Sequence, residues 1–282
     1  MNGCMFTQTF TKLKIGNKFM LFGGLRTKGI TKQSQENLPL ITVVTVVRNG
    51  EKTMEKTILS VINQTYKNVE YIIVDGMSTD GTLDIIKKYD NRIDYWISEP
   101  DKGIYYAMNK GIDLATGDYI ALLNSDDWYE LDTCEIIVEK IIEINADIYF
   151  GMLRVIDKLN NKIMFIYGYN IYAINQNMIS HPTCFISKKI YLKFKYNIKY
   201  KSASDYDFII RVYKSNASFY FIEKILANAM TGGISYGIIN EIETMKIKRK
   251  YRFINIRGYL IWRLFFIIRC IYKNIFIRKI VI

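Results

Sequence analysis

The chain has 282 residues, of which 50% are hydrophobic and 23% charged, with a formal net charge of +12. That balance excludes a disordered chain and allows one large domain or two small ones. The charge is uneven: residues 1–38 carry +5, residues 246–282 carry +11 without a single acid, and the stretch between carries −4. A mildly acidic body argues against a nucleic-acid partner, and basic ends suit an anionic membrane surface.

Cys4, Cys134, Cys184 and Cys270 are far apart, with no CxxC pair and no zinc spacing. The expectation is no disulfide framework and a reducing, cytoplasmic compartment. Residues 1–6 lack the apolar run of a signal peptide, and no window offers the roughly 20 uninterrupted apolar residues of a spanning helix.

Residues 1–38 read as a basic arm appended to the fold. Pro39 opens a strand over Leu40–Val47, whose unbroken β-branched run suits a strand buried on both faces. A helix follows over about Glu51–Thr65, with Met54, Ile58, Val61 and Ile62 at helical spacing. Strands at Val69–Asp75, Ile93–Ser98 and Tyr119–Leu123 alternate with helices starting at Ser78 or Thr79 and near Ile104. Gly117 stops the second of these helices. Four strand–helix alternations predict an α/β fold with a mostly parallel sheet and helices on both faces. Ligands of such sheets bind beyond the strand C-termini. The polar residues gather there: Arg48 and Asn49, Asp75, Glu99 and Asp101, and Asn124–Asp127.

Past Asn145 the pattern weakens. A strand is expected at Ala146–Phe150, a hairpin within Val155–Tyr167, a short strand at His181–Ile186, and a helix starting at Ser204.

Asn124-Ser125-Asp126-Asp127 closes the fourth parallel strand. Adjacent carboxylates there suit a hard divalent cation that also meets phosphate oxygens. Capping of the helix near Leu131–Ile144 is the simpler alternative.

These motifs resemble family 2 glycosyltransferases with a GT-A (Rossmann-like) fold, the colanic-acid and capsule branch in particular. The likeness rests on Pro39–Thr45 before Arg48-Asn49, on Val74-Asp75-Gly76-Met77-Ser78-Thr79-Asp80-Gly81-Thr82, on Glu99–Tyr105 and on Ala107–Gly111. It covers about residues 25–235. The resemblance implies that Val46, Arg48 and Asp75 line the nucleotide, and that Asp101, Lys102, Asn109, Asn124 and Ser125 approach the nucleotide-sugar. It implies Asp126 as ligand of Mn²⁺ or Mg²⁺, His181 as a further metal or diphosphate contact, and Asp205 as catalytic base. Asn124 departs from the family's first Asp, which shifts coordination to Asp126. Each role has a plainer rival: a turn-forming Asx bond for Asp75, a helix cap for Asp205, a core histidine for His181. Gly232–Ser235 reads as a loop that could close over substrate, or as an ordinary turn.

Charge and the resemblance together divide the chain into three expected regions: the basic arm 1–38, a GT-A domain 39–235 with donor half 39–127 and acceptor half 128–235, and a basic segment 236–282. Cations alternate with Tyr, Phe, Ile and Trp262 in the last region, which suits two short helices broken near Gly258 on a membrane surface; a helical hairpin packed on the body and an RNA-binding tail are the alternatives. The expected function is inverting transfer from a nucleotide-diphosphate sugar to a surface polysaccharide or lipid-linked glycan, at the inner face of the cell membrane. The rival is a non-catalytic nucleotide-sugar-binding or scaffold protein.

Overall fold

The computed structural model describes residues 11–15, 18–168, 171–175, 178–232 and 237–277. Its first elements place the described part of the expected arm 1–38 against the sheet. β1 (Thr11–Ile15) and β2 (Lys18–Gly23) form an antiparallel hairpin, and β2 pairs with β5 (Tyr95–Ser98) at the sheet edge. The cations behind β2 are bound by the body: Arg26 to Glu70 at 3.4 Å, Lys28 to Asp90 at 2.6 Å, Lys32 to Asp94 at 2.9 Å. All three carboxylates are buried, and a buried carboxylate needs a paired cation. These charges hold the edge of the sheet together and are not a free membrane-seeking patch.

β3 (Ile41–Val47), β4 (Val69–Asp75) and β6 (Tyr119–Asn124) run parallel with β5 in the order β5-β4-β3-β6. Every residue of β3 and β4 is buried, as helices on both faces require. α1 (Met54–Ile62), α2 (Thr82–Lys88) and α4 (Thr133–Glu143) cover one face. α3 (Ile104–Leu114), α5 (Lys188–Lys193) and α6 (Ser204–Tyr213) cover the other. Gly111 lets α3 lie against β3, since a Cβ there would sit 2.2 Å from Val44 Cγ1.

The second half is a mixed sheet. β10 (Phe185–Ser187) is antiparallel between β6 and β8 (Ile148–Ile156), β11 (Phe219–Met230) is parallel to β8, and β7 (Asp127–Tyr129) closes antiparallel on β11. β9 (Ile163–Tyr167) completes the expected hairpin with β8. The strand expected from His181 starts only at Phe185, because His181–Thr183 winds into a 3-10 turn around Pro182. Cys134 and Cys184 are free and buried.

α7 (Ile238–Lys250) and α8 (Ile256–Ile277) end the described chain. The break falls at residues 251–255, just ahead of Gly258. Arg252 takes φ 63°, and Asn255 Oδ1 accepts from Gly258 N–H at 2.8 Å, capping α8. α7 is not a tail: Ile247 is fully buried, and Lys250 Nζ and Tyr251 Oη both donate to Asp207 of α6. The expected boundary at 235/236 lies outside the described residues, and α7 beyond it packs on the body. Among the described residues no helix is long and apolar enough to cross a membrane. Gly233–Ser235 of the expected substrate loop lie outside the described residues; Gly232 has φ +92°.

Candidate active site

The parallel register brings four strand ends to one edge. Val46 pairs with Asn124, and Val47 with Asp75, which pairs with Ser98. Two loops above this edge are stitched together. Asn49 N–H donates to Ser78 Oγ (2.7 Å), Thr79 N–H to Asn49 Oδ1 (2.8 Å), Gly50 N–H to Thr82 Oγ1 (2.8 Å) and Glu51 N–H to Asp80 Oδ2 (3.1 Å). Asn49 and Met77, at φ 57° and 58°, hold left-handed backbone on either side of the crevice, a conformation that costs energy unless surrounding contacts enforce it.

Gly76 keeps the crevice open. A Cβ there would sit 2.4 Å from Asp101 Oδ2 and 3.5 Å from Arg48 Cβ. Arg48, Gly76 and Asp101 thus converge from three loops. Arg48 and Lys102 are exposed and take no ion pair among the described residues, which leaves both cations for an anionic ligand. Gly50 packs close to Ser125, whose Oγ would be 3.2 Å from an added Cβ.

Three expected ligand contacts are placed differently. Val46 points into the core with Val44, Ile72 and Val74, so only its backbone faces the edge. Asp75 is completely buried, and its carboxylate accepts from Ser78 N–H, Ser78 Oγ and Ser98 Oγ; it shapes the turn that presents Gly76. Asn109 spends its amide on the backbone of Tyr196, donating to the carbonyl and accepting from the N–H, both at 2.9 Å.

The acid cluster is half-buried. Asn124 Nδ2 donates to Asp127 Oδ2 at 3.3 Å, while Asn124 Oδ1 is buried without a partner. Burial raises Asp127 well above the usual carboxylate range, with the neighbouring Asp126 charge adding and the Asn124 amide opposing. Burial also raises Asp126, against the positive charge of Lys158. Thr57, on the buried face of α1, pins the backbone by donating to the carbonyls of Ser125 (2.9 Å) and Asp127 (2.7 Å). Two neighbouring carboxylates and an orphaned amide oxygen offer an all-oxygen donor set. That set fits a Mg²⁺ or Mn²⁺ shared with ligand phosphates. His181 does not complete it. The histidine is buried, its Nε2 meets Tyr196 Oη at 2.8 Å, and burial lowers its pKa to about 4. Among the described residues no cluster of three or more His, Cys, Asp and Glu converges into a cage.

Asp205 sits in the first turn of α6. Its Oδ1 accepts from Tyr105 Oη at 3.3 Å and from Tyr206 N–H at 2.9 Å. Burial pushes its pKa up to about 6, against these hydrogen bonds. Tyr105 lies on the first turn of α3, directly after the Asp101–Gly103 loop, and stacks on Tyr196 at 5.8 Å. The donor-side loop and the candidate base therefore share one buried tyrosine.

Residues 42–218 match the family described as glycosyl transferase family 2. The chain belongs to that family.

As a family 2 chain it is 40% identical over 114 residues to glycosyltransferase GlyA of Streptococcus pneumoniae, spanning 39% of this chain and 16% of GlyA. It is 40% identical over 108 residues to the putative teichuronic acid biosynthesis glycosyltransferase TuaG of Bacillus subtilis, spanning 37% of this chain and 43% of TuaG. The chain thus covers less than half the length of these curated relatives. Among solved structures, TarS of S. aureus with UDP-GlcNAc superposes at TM-score 0.61 with 20% identity, over 74% of this chain and 65% of the TarS chain. The mannosyltransferase PcManGT of Pyrobaculum calidifontis, in complex with GDP-Man and Mn²⁺, superposes at 0.52 with 14% identity, over 68% and 56%. The fold is GT-A.

Several residues that build this family 2 site carried no motif signal. Thr57 is legible only as a polar residue in the apolar stripe of α1. Lys158 arrives through register: Asp127 pairs with Ala229, Ala229 with Val155, and Val155 with Phe165. The β8–β9 tip therefore reaches past the row that carries Asp127.

Proposed function

We propose that this chain is an inverting, metal-dependent glycosyltransferase acting on a nucleotide-diphosphate sugar. The observation that carries the reading is Asp205, a carboxylate raised to about 6 and held by Tyr105 at the donor-side loop. A base with a pKa near the working pH is both ionised and able to accept a proton. Asp205 takes the acceptor hydroxyl proton as that oxygen bonds the anomeric carbon. The bond from the anomeric carbon to the diphosphate oxygen breaks, releasing the nucleoside diphosphate with inverted configuration at the sugar. One base suffices for a single displacement, and no second carboxylate nucleophile is required.

Arg48 and Lys102 bind the donor's phosphates, with Asp101 and Ser125 beside them. Asn124, Asp126 and Asp127 would hold the divalent cation, which would supply Lewis-acid neutralisation of the leaving diphosphate. The acceptor is a surface polysaccharide or lipid-linked glycan, a reading supported by the similarity to TuaG. α8 docks on the inner face of the membrane. Exposed Leu260, Ile261, Leu264 and Phe265 lie on the same helix as exposed Arg257 and Arg263, a combination suited to an anionic lipid interface.

The test is a panel of nucleotide-sugars with Mn²⁺, scored for binding and for turnover. Asp205→Asn keeps donor affinity and loses transfer. Transfer at the parental rate in that variant refutes the base. A donor that binds but is never turned over by the parent favours the rival, a non-catalytic nucleotide-sugar-binding or scaffold protein.

A further inference from the structure

α6 begins without a cap of its own. Its N-cap position is Ala203, which has no side-chain acceptor. The N–H groups ahead of the helix are satisfied from outside, by a single carboxylate on α7. Glu243 accepts from Lys201 N–H (2.9 and 3.1 Å), Ser202 N–H (2.9 Å) and Ala203 N–H (3.1 Å). Asn240, one turn earlier on α7, donates Nδ2 to the Ser202 carbonyl at 2.9 Å. α7 also grips α6 just past Asp205, through Lys250 and Tyr251 on Asp207. The segment carrying Asp205 is thus held on both sides by one helix, and the grip ahead of it is Glu243.

We infer that Glu243 is a positioning residue for Asp205, fixing the loop from which α6 starts and placing a negative charge behind the base. The inference rests on the reading of Asp205 as base. Among the described residues, titratable groups that bear on Asp205 include Tyr105 on α3, Cys184 before β10, Tyr196 after α5, and Glu243 on α7. Burial raises the first three above their ordinary values, so they are neutral at physiological pH. The Glu243 carboxylate disfavours ionised Asp205 by like-charge repulsion.

The experiment compares full-length Glu243→Gln with the parent across pH 5 to 8.5, roughly the range around the Asp205 pKa. Gln keeps one oxygen for the loop and removes the charge. Three results are expected together. kcat falls about tenfold, as a small displacement of a reacting group does. KM for the donor stays within about twofold, because Arg48, Asp101 and Lys102 are untouched. The acid limb of kcat moves down by about 0.3 pH unit, because the ionised base loses a like charge. Lys250→Met is the control, since it loosens α7 from α6 at Asp207 and leaves Lys201–Ala203 held; its acid limb should stay in place. An unmoved limb in Glu243→Gln, with stability loss matching Lys250→Met, reduces Glu243 to a structural residue and overturns the inference. Asp205→Asn keeps the two ideas separate. If that variant transfers sugar, the base reading itself fails; if it is dead while Glu243→Gln behaves like the parent, only the role of Glu243 fails.

Discussion

Tyr105→Phe removes one hydroxyl and leaves the ring in place against Tyr196. The hydroxyl donates to Asp205 at 3.3 Å, and Tyr206 N–H, at 2.9 Å, remains after the change. A hydrogen bond to a charged acceptor contributes about 1.5–3 kcal/mol at good geometry, and this long one is worth about 1 kcal/mol on that scale. The bond favours ionised Asp205, so its loss raises the pKa. One kcal/mol is about 0.7 pH unit, which carries Asp205 from about 6 to about 6.7. At pH 6 the ionised fraction then drops from about one half to about one sixth, a threefold loss of kcat, while at pH 8 both enzymes are almost fully ionised. The assay is initial-rate transfer at saturating donor across this range. A limb that stays in place, or moves down, refutes the idea that Tyr105 supports the charged base.

Four more outcomes follow from the same geometry. Asp205 has a folded pKa of about 6 against an ordinary 3.8, so its ionisation opposes folding. The penalty is absent below about pH 4 and complete above about pH 6, reaching about 3 kcal/mol; Asp205→Asn should raise Tm at pH 8 and leave it unchanged near pH 4. Lys28→Met with Lys32→Met strands Asp90 and Asp94, which are buried; urea unfolding should show a loss of about 3 kcal/mol, and an unchanged midpoint would return residues 1–38 to the status of an appendage. Gly111→Ala drives a methyl to 2.2 Å from Val44, and the expected overpacking cost of about 1–3 kcal/mol is read in the same unfolding experiment. Asn124→Asp adds a carboxylate to the oxygen set, so Mn²⁺ affinity measured by calorimetry without donor should rise; a fall would show that the Asn124 amide is needed as the donor to Asp127.

The legible part of the fold is the part built from local repetition. β3, β4, β5 and β6 announce themselves as short apolar runs separated by helical stripes, because each strand is buried on both faces and each helix on one. β11 hides because its pairing with β8 shifts register between Ile222 and Ile225 and again before Ala227, which destroys any period of two. Residues 18–38 misled for a different reason. Arg26, Lys28 and Lys32 look like free charge until Glu70, Asp90 and Asp94, more than 35 positions away, are seen to bind them.

The site divides along the same line. Residues whose chemistry is displayed by their own loop, such as Arg48, Asp101 and Asp126, could be named as candidates from the chain in order. Residues that act through a distant partner could not. Asn109 belongs to the family-like motif, yet its amide is committed to Tyr196, 87 positions on. His181 is the chain's one histidine and would suit a metal, yet Tyr196 takes its Nε2. Glu243 stands just ahead of the run of cations that reads as a tail, and it is tied to the loop that launches Asp205. In each case the deciding bond spans a sequence separation that no motif encodes. The setting of the candidate base Asp205 is therefore a property of the packed molecule: Tyr105 from α3 bonds it and stacks on Tyr196 from the loop after α5, while Glu243 from α7 ties down the loop ahead of α6. Variants along that chain of contacts should move the pH profile of Asp205 before they weaken the donor, because none of them touches the strand edge where Arg48, Gly76 and Asp101 converge.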